Sequence, residues 1–429
     1  MNDRKQGTIG FLMHASLAVL MTAAGLSSVS AQESADAEKL FKEGIYLREQ
    51  GQIFNSINAL ETVLTNDPTL QRARLELAVA YFRALNYEQA SKQAQRVLDD
   101  PKTPETVRLA VLTFLAQIKR DEAALAANPH NFEPSISLGA MYDNNVNVGP
   151  SGTTLPGGLV LTPGSSPKSD WASVLQAGLT HTYNSPLVIP FGQTATRLIW
   201  QSSAGYYHKG YINMTDFNLS ALTFSTGPGF IAPNSWRAKL NFQVDNLRLG
   251  SEQLGLYSSV SPTATWQLKN GELTVDGLAL HKRFDRQIDQ GRDSNYFSAG
   301  LSYGQLFFTG RLAAQVGVKG FNEKADLERF TNRGWEGFIG ANVAAWTNGS
   351  VYGRYSYRTA RYDGVEPIFA VAREEFEDRY ELGAGHNFKE GLMKDWKLSG
   401  NWVRSEAHAN VSIYTYQREV LSVNLARSF

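Results

Sequence analysis

From about residue 132 to Phe429 the apolar residues of this chain fall on every second position, and the positions between them carry charge. The stretch "WRAKLNFQVD" sets Trp236, Ala238, Leu240, Phe242 and Val244 against Arg237, Lys239, Asn241, Gln243 and Asp245. In "DWKLSGNWVR", Trp396, Leu398, Gly400 and Trp402 oppose Lys397, Ser399 and Asn401. A period of two is that of a strand with one oily and one wet face. A face carrying Lys, Arg and Glu along a whole strand cannot line a dry core, so it lines solvent or a wet lumen. In a soluble sandwich all these charged faces would be exposed alongside oily ones. A closed barrel in lipid reconciles the two, with the oily faces outward and the charged faces inward.

Turn signals divide the region into about fourteen strands, an even number as bacterial single-chain barrels require. They fall near 132–146, 170–184, 194–207, 215–226, 235–247, 254–268, 271–284, 293–308, 311–323, 333–346, 349–361, 374–388, 394–408 and 417–429. The turns at 270–271, 309–310, 348–349 and 389–391 are hairpin-tight and join even strands to odd ones. The intervening connections 147–169, 285–292, 324–332, 362–373 and 409–416 are longer. Short turns on one rim and long loops on the other are the outer-membrane pattern, which predicts both ends of the barrel on the periplasmic side. Two connections expected to be short, "SPLVIPFGQ" and "GPGFIAPN", are longer than this rule wants. The closing stretch "REVLSVNLARSF" puts Leu421, Val423, Leu425 and Phe429 on one face and Ser422, Asn424, Ala426 and Ser428 on the other. The terminal aromatic is similar to the signal by which outer-membrane barrels are selected for assembly, although Arg427 stands where an apolar residue is expected.

Upstream the period is 3.6. From residue 35 to 128 the chain is rich in Ala, Leu, Glu, Gln, Arg and Lys, with apolar residues recurring at three and four. A repeat of about 34 residues fits it, placing Leu40, Gly44, Leu47, Gly51, Ser56, Leu60, Val63 and Pro68 where tetratricopeptide helix pairs want packing residues. Leu77, Ala78, Tyr81, Ala90, Ala94 and Val97 follow in the next register, and "PETVRLAVLTFLAQIKRDEAALAA" opens a third unit as one long helix. About two and a half such repeats need a neighbour to cap them. Before them, Arg4 and Lys5 precede an apolar stretch and a small-residue site ending at Ala31, which reads as a secretory signal peptide over 1–31.

The absence of cysteine excludes disulfides, thiolate metal sites and a Cys nucleophile. Lys plus Arg at 41 equals Asp plus Glu at 41, so no global charge favours nucleic acid. Catalysis finds little support: His181, His208, His281, His386 and His408 lie on separate strands or loops without metal-ligand spacing, and no Ser carries a nucleophile motif. No cofactor or metal is expected. "DNNVN" (Asp143, Asn144, Asn145, Asn147) offers oxygens to calcium but lacks the closing acid of a calcium loop, and a rim turn explains it better.

The order of leader, short helical repeats and about fourteen strands, together with "ISLGAMYDNNVNVGP" at the first strand, resembles the surface lipoprotein assembly modulator family, Slam, of the type XI secretion route. The resemblance implies an outer-membrane protein translocator without enzymatic activity. Its client would be a surface lipoprotein or a secreted protein of haem or metal uptake. It also implies partners among periplasmic chaperones, the barrel-assembly machinery and outer-membrane lipid. Arg48, Arg72, Leu75 and Phe82 would hold the client on the helical repeats. Arg354 and Arg358 on one strand, with Glu377, Arg379 and Glu381 on the next, form a wet face of both signs that lines the lumen. The rival reading is a polysaccharide-export or solute porin with a periplasmic helical domain.

Overall fold

The computed structural model describes residues 31–429 apart from 102, 127–128 and 153–159. The leader expected over 1–31 lies outside these residues save for Ala31. Five helices come first: α1 (Ala31–Glu49), α2 (Ile53–Asn66), α3 (Gln71–Arg83), α4 (Tyr87–Asp99) and α5 (Glu105–Ala126). Their apolar stripes close into two cores. Phe41, Ile53, Leu60, Val63 and Leu77 form one, and Ala90, Ala94, Val97, Val111 and Ile118 belong to the other. Gly44 permits the close approach of α1 to α2, since a Cβ there would stand 2.8 Å from Leu60. Across the same contact the Ser56 hydroxyl donates to the Gly44 carbonyl at 2.6 Å.

Fourteen antiparallel strands follow: β1 (His130–Asp143), β2 (Asp170–Phe191), β3 (Thr194–Tyr211), β4 (Leu219–Ala232), β5 (Trp236–Leu249), β6 (Glu252–Gln267), β7 (Gly271–Phe284), β8 (Ser294–Phe307), β9 (Leu312–Ala325), β10 (Asn332–Trp346), β11 (Gly349–Glu366), β12 (Val371–Asn387), β13 (Trp396–Ala409) and β14 (Tyr416–Ser428). Each pairs with its sequence neighbours, and β1 pairs with β14 to close the barrel. Closure removes both sheet edges, which in lipid would leave backbone groups without partners. The result is a transmembrane antiparallel β-barrel of fourteen strands preceded by a helical domain.

The two connections that looked too long are corrected by the strands themselves. β2 runs on to Phe191 and β4 to Ala232, leaving turns of 192–193 and 233–235. Proline hides this continuity. Pro186 sits where the β2–β3 register shifts between Asn184 and Val188, and Gly227–Pro228 are skipped in the β4–β5 ladder. A residue without an N–H is tolerated at a bulge, so proline here bends a strand without ending it. Strands also climb further than expected at the other rim. β9 reaches Ala325, β11 reaches Glu366 and β12 starts at Val371, so the expected loops 324–332 and 362–373 shrink to 326–331 and 367–370. The connections 144–169 and 285–293 remain long, whereas 250–251 is as tight as any turn on the opposite rim. On that opposite rim the turn expected to be tight at 389–391 is eight residues, 388–395, because β12 stops at Asn387 and β13 starts only at Trp396.

The helical domain sits on the rim of the short turns. The Ile53 N–H donates to the Gln193 carbonyl at 3.0 Å, and the Asn55 N–H donates to Gln193 Oε1 at 3.0 Å. Gln52 makes no side-chain cap at the start of α2, so the β2–β3 turn satisfies that orphaned helix end instead.

Candidate functional site: the charged wall of the lumen

Register decides which side chains meet. On β9–β12, Lys319, Glu336, Arg358 and Glu377 stand directly opposite one another in one row across four strands, and their signs alternate. Four residues toward the helical rim a second row holds Gln315, Gly340, Arg354 and Glu381, and Phe338, Ser356 and Arg379 lie between the two. The positions between these on each strand are oily: Val316, Val318, Ile339, Tyr355 and Leu382 are all exposed on the outer surface. The charged face therefore turns into the lumen, as alternation requires.

Ion pairs and ring stacking hold this wall in place. Lys319 Nζ lies 3.2 Å from Glu336, Arg354 reaches the same carboxylate at 4.0 Å, and Arg379 Nε contacts Glu381 at 2.7 Å. The Arg354 guanidinium stands 4.0 Å over the Phe338 ring and that of Arg358 4.5 Å over Phe321. A guanidinium flat on a ring keeps its edge donors free for another partner. Beside this wall, Gln315, Phe338, Asn342, Tyr352 and Arg354 line a recess of about 760 Å³. The inward positions of β13, β14 and β1–β4 are different, with Asn401, Asn424, Ser137, Gln176, Ser203 and Ser225 supplying neutral amides and hydroxyls. Charge on these strands lies toward their ends, at Asp143, Lys209 and Arg418 near the far rim and Lys397 near the helical rim, so the mid-height of this side is neutral while that of β9–β12 is charged.

All five expected lumen residues fall on the charged wall: Arg354 faces Glu381, Arg358 faces Glu377, and Arg379 faces Ser356. Lys319, Glu336, Phe321 and Phe338 join them without having been singled out. The same alternation in "GVKGF" and "GWEGF" carried the signal, but only register shows that "GWEGF" on β10 stands beside the charges of β11 and "GVKGF" on β9 beside those of β10. Nearer the far rim, Arg373 lies 3.7 Å from the Tyr362 ring centroid and 3.8 Å from that of Tyr414, with Glu375 at 3.3 Å.

The helical residues expected to hold a client scatter. Arg48 is only 8% exposed and is tied to Glu76 on α3 and Glu49 on α1, so it braces the helices instead of presenting a surface. Leu75 and Phe82 are half-buried against the second core, where Phe82 packs on Tyr87 and Phe114. Arg72 is exposed, over the Phe41 ring at 4.7 Å. Burial pushes the Tyr87 hydroxyl above its ordinary range and Asp121 adds to this, while Arg197 of β3 opposes them, so barrel charge reaches the helices.

"DNNVN" is spent on the rim. Asp143 is fully buried between the Arg418 guanidinium and the Tyr211 hydroxyl, which donates at 2.7 Å. Asn144 Oδ1 accepts from the Glu419 N–H at 2.7 Å, and Asn145 Nδ2 donates to the Gln417 carbonyl at 2.9 Å. These oxygens and amides continue the β1–β14 seam above its last paired residues, so the turn reading of the motif describes them. His181, His208, His281, His386 and His408 all lie on the outer face: His386 accepts from Trp346 Nε1, His408 stacks on Phe376, and His208 meets Ser220. Among the described residues no three His, Asp or Glu side chains gather into a metal-holding group.

The fold and this wall define the class as a transmembrane barrel with a polar lumen and a helical domain on one rim. No family model matches the chain, and no curated protein matches it. Among solved structures, OpdK of Pseudomonas aeruginosa with vanillate shares 10% identity over 70% of this chain and 99% of its own, at a TM-score of 0.34. A loop-deleted OmpT of Vibrio cholerae shares 7% over 70% and 100%, at 0.39. An anion-selective porin of Comamonas acidovorans shares 10% over 70% and 99%, at 0.39. At such scores these likenesses carry no argument about what passes through this barrel.

Proposed function

We propose that the protein is a non-enzymatic outer-membrane translocator of the surface lipoprotein assembly modulator type. It takes a protein client from helical repeats in the periplasm through the lumen to the cell surface or medium. The observation that carries this reading is the alternating row Lys319, Glu336, Arg358 and Glu377 on a barrel whose short-turn rim holds the helical domain. A wall with both signs in fixed register is wetted everywhere and attracts neither sign strongly, so a polypeptide of mixed charge slides past it. The helical domain beside the entrance raises the local concentration of a captured client, which lowers the entropic cost of entry. Arg72 is the exposed cation of the four residues expected to hold the client.

A solute or polysaccharide channel is the second reading, favoured by the recess at Gln315, Phe338, Asn342, Tyr352 and Arg354, where rings and amides suit a small polar ligand. One comparison separates the two. Cells carrying the intact protein, or a form lacking 35–128, are supplied with a candidate client from a neighbouring reading frame, and surface-exposed client is measured by protease shaving. The translocator reading expects shaving to fall sharply in the truncated form at matched barrel levels. Equal shaving, with solute flux unchanged, assigns the barrel to the channel reading.

A further inference from the structure

The two outer rims are chemically unlike. On the helical side the lipid-facing positions end in Trp236, Trp266, Trp346 and Trp396, and the cation among them, Arg427, stacks on Phe429 at 4.7 Å. On the far rim the outward positions of β7 and β9–β11 end in Arg283, Lys324, Arg333 and Arg361. Arg333 and Arg361 stand directly opposite each other, at side-chain exposures of 69% and 76%. Like charges directly across an antiparallel pair repel. The carboxylates nearby compensate weakly, because water screens them: Asp363 is 4.0 Å from Arg333, Glu374 is 3.5 Å from Arg361, and Asp285 is 3.5 Å from Arg283.

Below this cluster the wall is hollowed. A groove of about 850 Å³ crosses the outer face of β2–β8, because Ser202, Ala204, Ser258 and Ala279 are short while Phe224, Phe242 and Phe297 stand tall around them. It runs through two adjoining rows of paired residues, one passing Phe242, Val260, Ala279 and Phe297, the other ending at His281 and Asn295. Asn295 is directly opposite Lys324, and Phe297 is opposite Asn322, which in turn faces Arg333. An apolar furrow on a lipid-facing wall therefore leads up to a cluster of cations.

We propose that this face binds a phosphorylated, multiply acylated glycolipid of the outer leaflet, with acyl chains in the furrow and a phosphate bridging Arg333 and Arg361 beside Lys324. Paired guanidinium groups take a phosphate bidentately and are relieved of their mutual repulsion by it. Chains along Phe242, Val260 and Phe297 fill space that a flat wall would not offer. The proposal rests on the barrel spanning the membrane with this rim outward, and is independent of what the lumen carries.

The full-length protein is placed in nanodiscs of phosphatidylcholine doped with diphosphorylated lipid A, with dephosphorylated lipid A, or with phosphatidylglycerol, and retained lipid is measured by native mass spectrometry. Retention of diphosphorylated lipid A over both others is expected. The double variant Arg333→Gln, Arg361→Gln should weaken that retention about a hundredfold, roughly tenfold for each charged contact. The variant Asp363→Asn, Glu374→Gln removes competing carboxylates and should strengthen it. Retention of phosphatidylglycerol or dephosphorylated lipid A equal to that of lipid A, or unchanged retention in the folded double arginine variant, means annular lipid only and overturns the site. If the arginine variant does not assemble, the carboxylate variant decides, and unchanged lipid A retention there overturns it as well.

Discussion

Single residues in this chain are decided by what register or helix packing puts next to them. Gly334 on β10 is a case: a Cβ there would stand 1.8 Å from the Thr359 carbonyl of β11. The variant Gly334→Ala should cost about 1–3 kcal/mol by overpacking, seen as a lower temperature for loss of the compact, heat-modifiable form on gels. Arg48 makes the same point in the helices. Its side chain is 10% exposed beside Glu76 at 21%, so Arg48→Ala leaves a part-buried carboxylate without its partner and should cost about 1–3 kcal/mol. Helical ellipticity should melt earlier while the barrel stays intact, which client contact alone would not produce. Phe429 gains a contact that alternation could not announce: its N–H donates to the Pro134 carbonyl at 2.9 Å, and Arg427 stacks on its ring. An aspartate at 429 sets a carboxylate in the aromatic interface and removes the ring, so Phe429→Asp should lower the amount of assembled barrel with the helical domain still folded. Wild-type amounts of heat-modifiable protein would count against this.

Elements show where the period of two is enough and where it is not. Strand existence followed from alternation, yet β2 and β4 were cut short because proline normally marks a strand's end, whereas here Pro186 and Pro228 occupy irregular ladder positions. The seam is the element-scale feature with the clearest consequence. β1 meets β14 only from Ser135 to Asp143, and above that Asn144 and Asn145 take over the role of ladder partners for Glu419 and Gln417. Asn145 also holds the loop, donating to the Gly149 carbonyl at 2.9 Å and accepting from its N–H at 2.7 Å. The variant Asn145→Ala loses three bonds at about 1 kcal/mol each. It should lower the melting temperature of the compact form and admit protease first at the 144–169 loop. Cleavage starting elsewhere would show that the seam is not held there.

At the scale of the whole molecule the prediction concerns sidedness. Helices on the short-turn rim, the longer connections 144–169 and 285–293 and the cations of the far rim all point the same way. An epitope inserted near Gly152 should be reached by antibody on intact cells, and one near Asn348 should not. Labelling at both sites, or at 348 alone, would show this topology to be wrong. Salt offers a second check on the lumen. A wall whose charges alternate in register has little net field, so single-channel ion selectivity should be weak and change little from low to high ionic strength. Strong selectivity would show that the alternating charges of β9–β12 do not cancel and leave a net field in the lumen.

The strand count, the face that meets lipid and the lumenal placement of Arg354, Arg358, Glu377, Arg379 and Glu381 were legible in the chain itself. They depend on local periodicity, and each strand carries its own pattern of oil and charge. The expected fate of Arg48, Leu75 and Phe82 was not legible, because a helix surface looks alike whether it faces solvent or another helix, and only packing chose between them. Nor was the alternating row from Lys319 to Glu377, or the face-off between Arg333 and Arg361. Neither exists in any one segment. A one-residue slip between strands would turn every side chain to the other face, so which charges meet is set by register, and register is set only when all fourteen strands close into one barrel.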